Sequence, residues 1–423
     1  MITLIFFAII GAIIYIQYKR EKNVINLVSL LMAPYAVLVF LNNFFMYKIG
    51  FNKIEDEVLV MLLLTFICFF FGGLPTAPDK VPKIYEEDNK IRFERYNIKR
   101  MTNILLLIGL ISFIKLIYLC LNADSYESWD GAMGNGIVGH LLLLAYSILP
   151  IVFLYWTYNK KKKKCIIAVL MIIVATFSTF IKYNVLGLAV SIFIFVLIYK
   201  KSMLKKAVMV LVSFTIIAFV GNYAISFFIN NESVSSAFYL NHFWVYCSGS
   251  IINANNVFLE GMNVEVTLLY KLATFLFALP NMFFQKFLGE RFFPYMLMEF
   301  NGIGELAEQR TNVLDAISYL YPSKGDILDI IIFAFFILAI GFLFSNIYMN
   351  SKKRKEGFNT FVCNFMTFFV FFSFFGTFYI NSGPWEILVY SLIIPRLFIR
   401  KKKRQNGELY EENTVLNMEK RDK

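Results

Sequence analysis

Apolar runs of about 20 residues, the length needed to cross a bilayer as helix, recur along this chain and are joined by short polar stretches. Backbone amides in lipid must pair within their own segment, so such runs are read as α-helices. Eleven are expected, at 2–18, 25–46, 57–74, 101–121, 137–158, 165–181, 184–199, 206–228, 327–348, 359–380 and 384–399. The sequence therefore reads as an all-α polytopic membrane protein, with one integral domain over 1–404 and a polar, disordered tail over 405–423.

A net charge of +12 would point to nucleic acid in a soluble protein. Here the basic residues form blocks between apolar runs, the pattern that orients membrane helices. Alternate loops carry Lys19, Arg20 and Lys22, then seven basic residues from Lys80 to Arg100, Lys160–Lys164, Lys200–Lys206, Lys352–Lys355 and Arg396–Arg404. With the tail, 32 basic residues fall on that side and 8 on the other. The N-terminus is therefore expected outside and the C-terminus in the cytoplasm. The first run, Ile2 to Ile16, lacks a basic n-region and a small-residue cleavage site, so it is read as a retained helix. The five cysteines give no disulfide framework or zinc site, since only Cys247 lies in the long outer loop.

That loop, Ile229 to Asp326, is the one long excursion outside the membrane and is expected to contain short helices. Within it Leu272–Pro280 is apolar but too short to cross, and reads as an interfacial or re-entrant helix. Its second half concentrates polar groups. Arg291 and Arg310 lie outside against the charge trend, and a guanidinium suits forked contacts with phosphate. Glu305 and Glu308 stand one helical turn apart, and either could take a proton from a hydroxyl; ordinary Glu–Arg pairing on a solvated loop is the plain alternative. Upstream, Tyr239-Leu240-Asn241-His242-Phe243-Trp244 joins aromatic faces, which suit sugar rings or anchor at the interface, to a histidine able to act as base. His140, at the start of the fifth span, is a weaker base candidate. Lys115 sits inside the fourth span and either serves a site or snorkels to the interface. Lys182 is pinned in the short turn between the sixth and seventh spans. Glu55-Asp56-Glu57 has the composition of a divalent-metal holder, but three acids before an apolar run read more simply as a helix cap.

The turn Phe180-Ile181-Lys182-Tyr183-Asn184, the stretch Tyr239-Leu240-Asn241, and the closing run Arg310-Thr311-Asn312-Val313 with Tyr319-Leu320-Tyr321 resemble the Wzy-type oligosaccharide repeat-unit polymerases that build O-antigen and capsule. Leu314 stands where that family usually has tyrosine, and Ser323-Lys324-Gly325-Asp326 replaces an Asp-Phe-Gly-like turn. The resemblance implies a GT-C-like fold and a glycosyltransferase that polymerises undecaprenyl-diphosphate-linked units at the outer face of the bacterial cytoplasmic membrane. It implies no cofactor and no metal, because the diphosphate leaving group is already activated and cations can stabilise its charge. Lys182, Arg291, Arg310 and Lys115 would bind the diphosphate, and Glu305, Glu308 or His242 would deprotonate the acceptor. Tyr239, Trp244, Asp315 and Tyr319 would contact sugar. Partners would be the bilayer, the lipid-linked oligosaccharide, a chain-length regulator and a flippase. A ligase of the same broad fold and a transporter of lipid-linked oligosaccharide are the alternatives. Transport would call for charged or broken helices along a path through the midplane.

Overall fold

The computed structural model describes residues 1–76, 96–122, 132–134, 136–159, 163–179, 188–190, 192–193, 203–216, 220, 236–259, 267–293, 300–307, 309–322, 326–354, 366, 369–377 and 380–399. Apart from one two-stranded hairpin the regular secondary structure of these residues is helical. Six helices among them are long and apolar enough to cross a membrane. They are α1 (Ile2–Glu21), α2 (Leu27–Phe44), α3 (Asp56–Gly73), α4 (Ile98–Asn122), α5 (Gly136–Tyr158) and α11 (Ile327–Arg354). Between α5 and α11 come α6 (Lys163–Phe177), α7 (Leu204–Ile216), α8 (Ser236–Leu259), α9 (Leu268–Leu276) and α10 (Ala278–Leu288), and α12 (Ser382–Phe398) follows α11. The chain is thus an all-α protein of membrane type. The expected span at 184–199 falls largely, that at 359–380 half, and the tail at 405–423 wholly outside the described residues.

Each helix forms for local reasons. The Asn26 side chain accepts from Ser29 N at 2.9 Å and caps α2. Glu55 is the N-cap residue of α3, with Asp56 and Glu57 in its first turn, where carboxylates face the positive end of the helix dipole. Thr267 caps α9, accepting from Tyr270 N. The outward faces of α4 and α11 are apolar, with Leu107, Leu110, Phe113 and Phe335, Phe342 exposed. Helices with apolar exteriors suit a lipid solvent.

The most extensive packing among the described helices is α3 against α11. A Cβ on Gly72 would meet the backbone of Leu338, and one on Gly341 would meet the backbone of Phe69. These glycines let the two backbones approach closely, as small residues do between membrane helices. The register rises together, with Phe69 at Gly341 and Gly73 at Ser345, so α3 and α11 run parallel. The same holds for α4 and α6, where Thr102 meets Cys165 and Gly109 faces Met171. At one end of the bundle Arg20 donates to the carbonyls of Leu74 and Thr76, Tyr348 to Ile25 O, and Asn97 N to Phe398 O. At the opposite end Asn43 holds Ile54, and Asn255 of α8 holds both Lys53 O and Glu55 N.

The described parts of 229–326 pack into this second end. Helix α8 lies against α2 and α3 with a polar buried face of Asn241, Ser248, Asn253 and Asn255. The apolar patch at Leu272–Pro280 forms α9 and α10, of 9 and 11 residues, separated at Phe277. At 1.5 Å per residue neither reaches the ~30 Å of a hydrocarbon core. Both rest on the bundle, with the Phe275 ring 5.9 Å from Phe336 and 5.3 Å from Trp385.

Candidate functional site

After α10 the chain makes a hairpin of β1 (Asn301–Gly302) and β2 (Arg310–Thr311). It docks on the turn after α2. Gly50, at φ 95, accepts from Glu305 N at 2.8 Å, and Asn52 N donates to Ile303 O at 2.9 Å. Gln309, fully buried, closes the hairpin loop by accepting from Leu306 N. From Thr311 the chain then descends between helices. Asn253 of α8 donates to Val313 O at 3.1 Å, and Ala316 N donates to Ser373 O at 2.7 Å. Asp315 thereby meets Tyr35 midway along α2, roughly 13 Å of helix from Phe44 at 1.5 Å per residue. A 3-10 turn at Ser318–Leu320 returns the chain toward α11. The stretch from Thr311 to Tyr321 is a re-entrant segment.

Asp315 organises it. Its Oδ1 accepts from the Tyr35 hydroxyl at 2.8 Å, Ile317 N at 2.9 Å and Ser318 N at 3.1 Å, while Oδ2 accepts from the Ser318 hydroxyl. Complete burial nevertheless raises the carboxyl to about 6, since these donors only partly replace water. Next to it the Tyr319 hydroxyl bonds Thr274 Oγ1 at 3.0 Å, and burial raises that phenol too. Lys271 of α9 is 8% exposed and donates to Tyr321 O at 2.8 Å. Its amine is lowered to about 8 by burial, against the opposing pull of Asp329. A buried carboxyl and a buried amine thus flank one short turn, each held nearer neutrality than in water.

The helix facing this turn ends beside it. Residues 369–372 are helical, but Ser373, Phe374 and Phe375 form a turn. The Ser373 carbonyl is taken by Ala316 N and that of Phe374 by the Ser250 hydroxyl at 2.5 Å. A continuous span over 359–380 is therefore corrected at its end, because two carbonyls bond to neighbouring elements and Gly376 follows.

Asp315 and Tyr319, expected at sugar, come together here, but both are sealed in the protein. Trp244 is buried as well, its indole donating to Asn42 Oδ1 at 3.1 Å and tying α8 to α2. On the same helix Tyr239 meets the Phe238 ring edge-on, and His242 stacks on Phe238 with ring centres 5.2 Å apart and lies 4.9 Å from Tyr246. Glu305 and Arg310 are both exposed on the hairpin. Arg291 follows α10 and donates from Nε to Gln285 Oε1 at 2.8 Å. Lys115 of α4 donates to Met133 O at 3.4 Å. Glu308 and Lys182 lie outside the described residues. Among the described residues no three His, Cys, Asp or Glu side chains converge as metal ligands would.

Two ionisable residues outside the expected set hold structural positions of equal weight. Lys271 reads in sequence only as the polar flank of an apolar patch, and no spacing marks it as buried. Glu386 lies within an apolar run, and an ionisable group at such depth is itself the signal. It accepts from His140 of α5, Nδ1 lying 2.8 Å from Oε1 and 2.9 Å from Oε2, and from the Tyr390 hydroxyl at 2.5 Å. The chain matches no protein-family model, no curated protein and no solved structure.

Proposed function

We infer that the chain is a glycosyltransferase of the bacterial cytoplasmic membrane that polymerises undecaprenyl-diphosphate-linked oligosaccharide units at the outer face. The observation that carries this reading is the fold of 229–326. A long segment on the side poor in basic residues packs into the helix ends, presents Glu305 and Arg310 on a hairpin, and sends Asp315 down to mid-helix depth. A lipid-linked substrate enters from the bilayer and carries its diphosphate at the headgroup level, where such a hairpin would meet it. Arg310, Arg291, Lys115 and Lys182 remain the cations for that diphosphate. The eleven-span arrangement with the N-terminus outside belongs to the same proposal. It requires α3 and α11 to cross in one direction, and their parallel register agrees.

In cells that make the polymer, Arg310→Ala should abolish long-chain glycan and leave single units, with the protein at its normal level. Wild-type polymer from this variant would remove Arg310 from the site.

One observation favours transport of the lipid-linked oligosaccharide instead. A buried carboxyl beside a helix that ends within the bundle is what a translocation path uses. Purified protein in vesicles separates the two. A polymerase lengthens extracted lipid-linked units, whereas a transporter moves them across the bilayer at constant length.

A further inference from the structure

We propose that His140 is the general base of the transfer and that Glu386 is the residue that positions it. This rests on the polymerase reading and gives the reaction a proton acceptor.

His140 lies one turn into α5 from Gly136, and Glu386 one turn into α12 from Ser382. The Leu143 side chain lies against Gly383, so the N-terminal ends of the two helices are in contact. Both Glu386 oxygens face Nδ1 of the imidazole, at 2.8 and 2.9 Å. Tyr390, one turn further along α12, donates to Oε1 at 2.5 Å and fixes the carboxylate from behind. An ionised carboxylate only accepts, so the imidazole proton resides on Nδ1 and the lone pair on Nε2. The Glu386 side chain is 12% exposed and that of His140 53%. The orienting group is thus buried while the ring it holds reaches the surface. This is the arrangement of a base held in one tautomer by a carboxylate. As a mere tie between helices it would be costly, since an apolar pair of similar volume holds as well without burying a charge.

The surroundings match the reaction. The 3-10 turn Ala132–Gly134 packs on α5 at Gly139, where a Cβ would collide with the Gly134 carbonyl. Lys115 donates to Met133 O in the same turn. A cation and a carboxylate-held imidazole therefore border one turn. On the other side Trp385 touches Phe275 of α9, the helix whose Lys271 holds the re-entrant segment. The other histidine, His242, is enclosed in ring contacts with Phe238 and Tyr246.

In the step itself, a sugar hydroxyl of the incoming unit gives its proton to Nε2 of His140 as its oxygen bonds to the anomeric carbon of the growing chain. The bond from that carbon to the phosphate oxygen breaks, and its electron pair leaves with the lipid diphosphate. His140 is left as imidazolium, its charge balanced by Glu386, and then releases the proton to water.

The test uses the purified full-length chain in lipid nanodiscs. Its substrate is lipid-diphosphate-linked units extracted from host cells lacking the chain. His140→Asn keeps an N–H donor for Glu386 and removes the base. Its turnover should fall by about 10²–10⁴-fold, with KM for the units and the thermal unfolding midpoint near wild type. Added imidazole should recover turnover in His140→Ala. Glu386→Gln should lower turnover at unchanged KM, because the ring is no longer fixed in its tautomer. Near-wild-type turnover in His140→Asn, or no imidazole response from a folded His140→Ala, would overturn the assignment. If the wild-type chain itself does not lengthen the units, the polymerase reading fails first, which is a separate outcome from an active His140→Asn.

Discussion

At the scale of single residues, Asp315 is a carboxyl that burial holds against its own charge. Asp315 is raised from an ordinary 3.8 to about 6, so the native state binds its proton more tightly than the unfolded chain. Its contribution to stability is therefore fully present below the unfolded value and is lost as pH rises through about 6. At roughly 1.4 kcal/mol per pH unit the loss is about 3 kcal/mol. Asp315→Asn keeps an acceptor for Tyr35 and the two backbone amides without the charge. In detergent its thermal midpoint should match or trail wild type at pH 4 and exceed it at pH 8. A constant difference between the two pH values would mean that the carboxyl is neutral throughout or open to water. Trp244→Phe probes a neutral contact. It strands the Asn42 carbonyl at the α8–α2 boundary and should cost about 1–3 kcal/mol, read as a lower midpoint at every pH. Sequence alone named Asp315 and Trp244 as residues of interest but gave them to sugar. Their partners, Tyr35 and Asn42, lie hundreds of positions away, and no local pattern of aromatic and polar residues encodes such pairing.

Among the helices, what was legible follows from periodicity and length. The runs that became α1 to α5 and α11 needed only apolar stretches and the requirement that amides pair. What was not legible depends on one element competing for another's backbone. The end of the run 359–380 is apolar enough to continue as helix, yet the Ser373 and Phe374 carbonyls bond to the re-entrant turn and to Ser250. In the same way α8 lies within what reads in sequence as one long outer loop, and its Asn241, Ser248 and Asn255 are buried in the bundle. Glu386 was readable in principle, as a charge inside an apolar run. The small residues between α3 and α11 were present in the sequence, but only the fold shows which helix they meet. Gly341→Leu should force α11 off the Phe69 backbone. Overpacking typically costs about 1–3 kcal/mol, and more is expected here because backbone rather than a flexible side chain is in the way. The measurement is the yield of monodisperse protein and its thermal midpoint. An unchanged midpoint would show that the helices have room to separate.

For the molecule as a whole, the distribution of basic residues and the packing of helices bear on one question, which end faces out. The parallel register of α3 with α11 and of α4 with α6 fixes their relative sense without any reference to charge. At one end lie Arg20, Thr76 and Asn97, with Lys19, Lys22, Lys99 and Arg100 beside them in the chain; at the other lie Asn43, Asn255 and the hairpin that carries Glu305. Basic residues are retained on the cytoplasmic side during insertion, so the hairpin end should be external. With Cys68, Cys120, Cys165, Cys247 and Cys363 replaced by serine, a single cysteine at Glu305 should react with a membrane-impermeant maleimide in intact cells. A single cysteine at Lys22, at the end of α1 beside Arg20, should react only after the membrane is opened. The reverse pattern would invert the molecule and place the hairpin, Lys115 and the His140–Glu386 pair in the cytoplasm, on the wrong side for an outer-face polymerase. Labelling of both in intact cells would mean that α1 does not cross, and the parallel packing of α3 with α11 would then have to be met by a different number of spans.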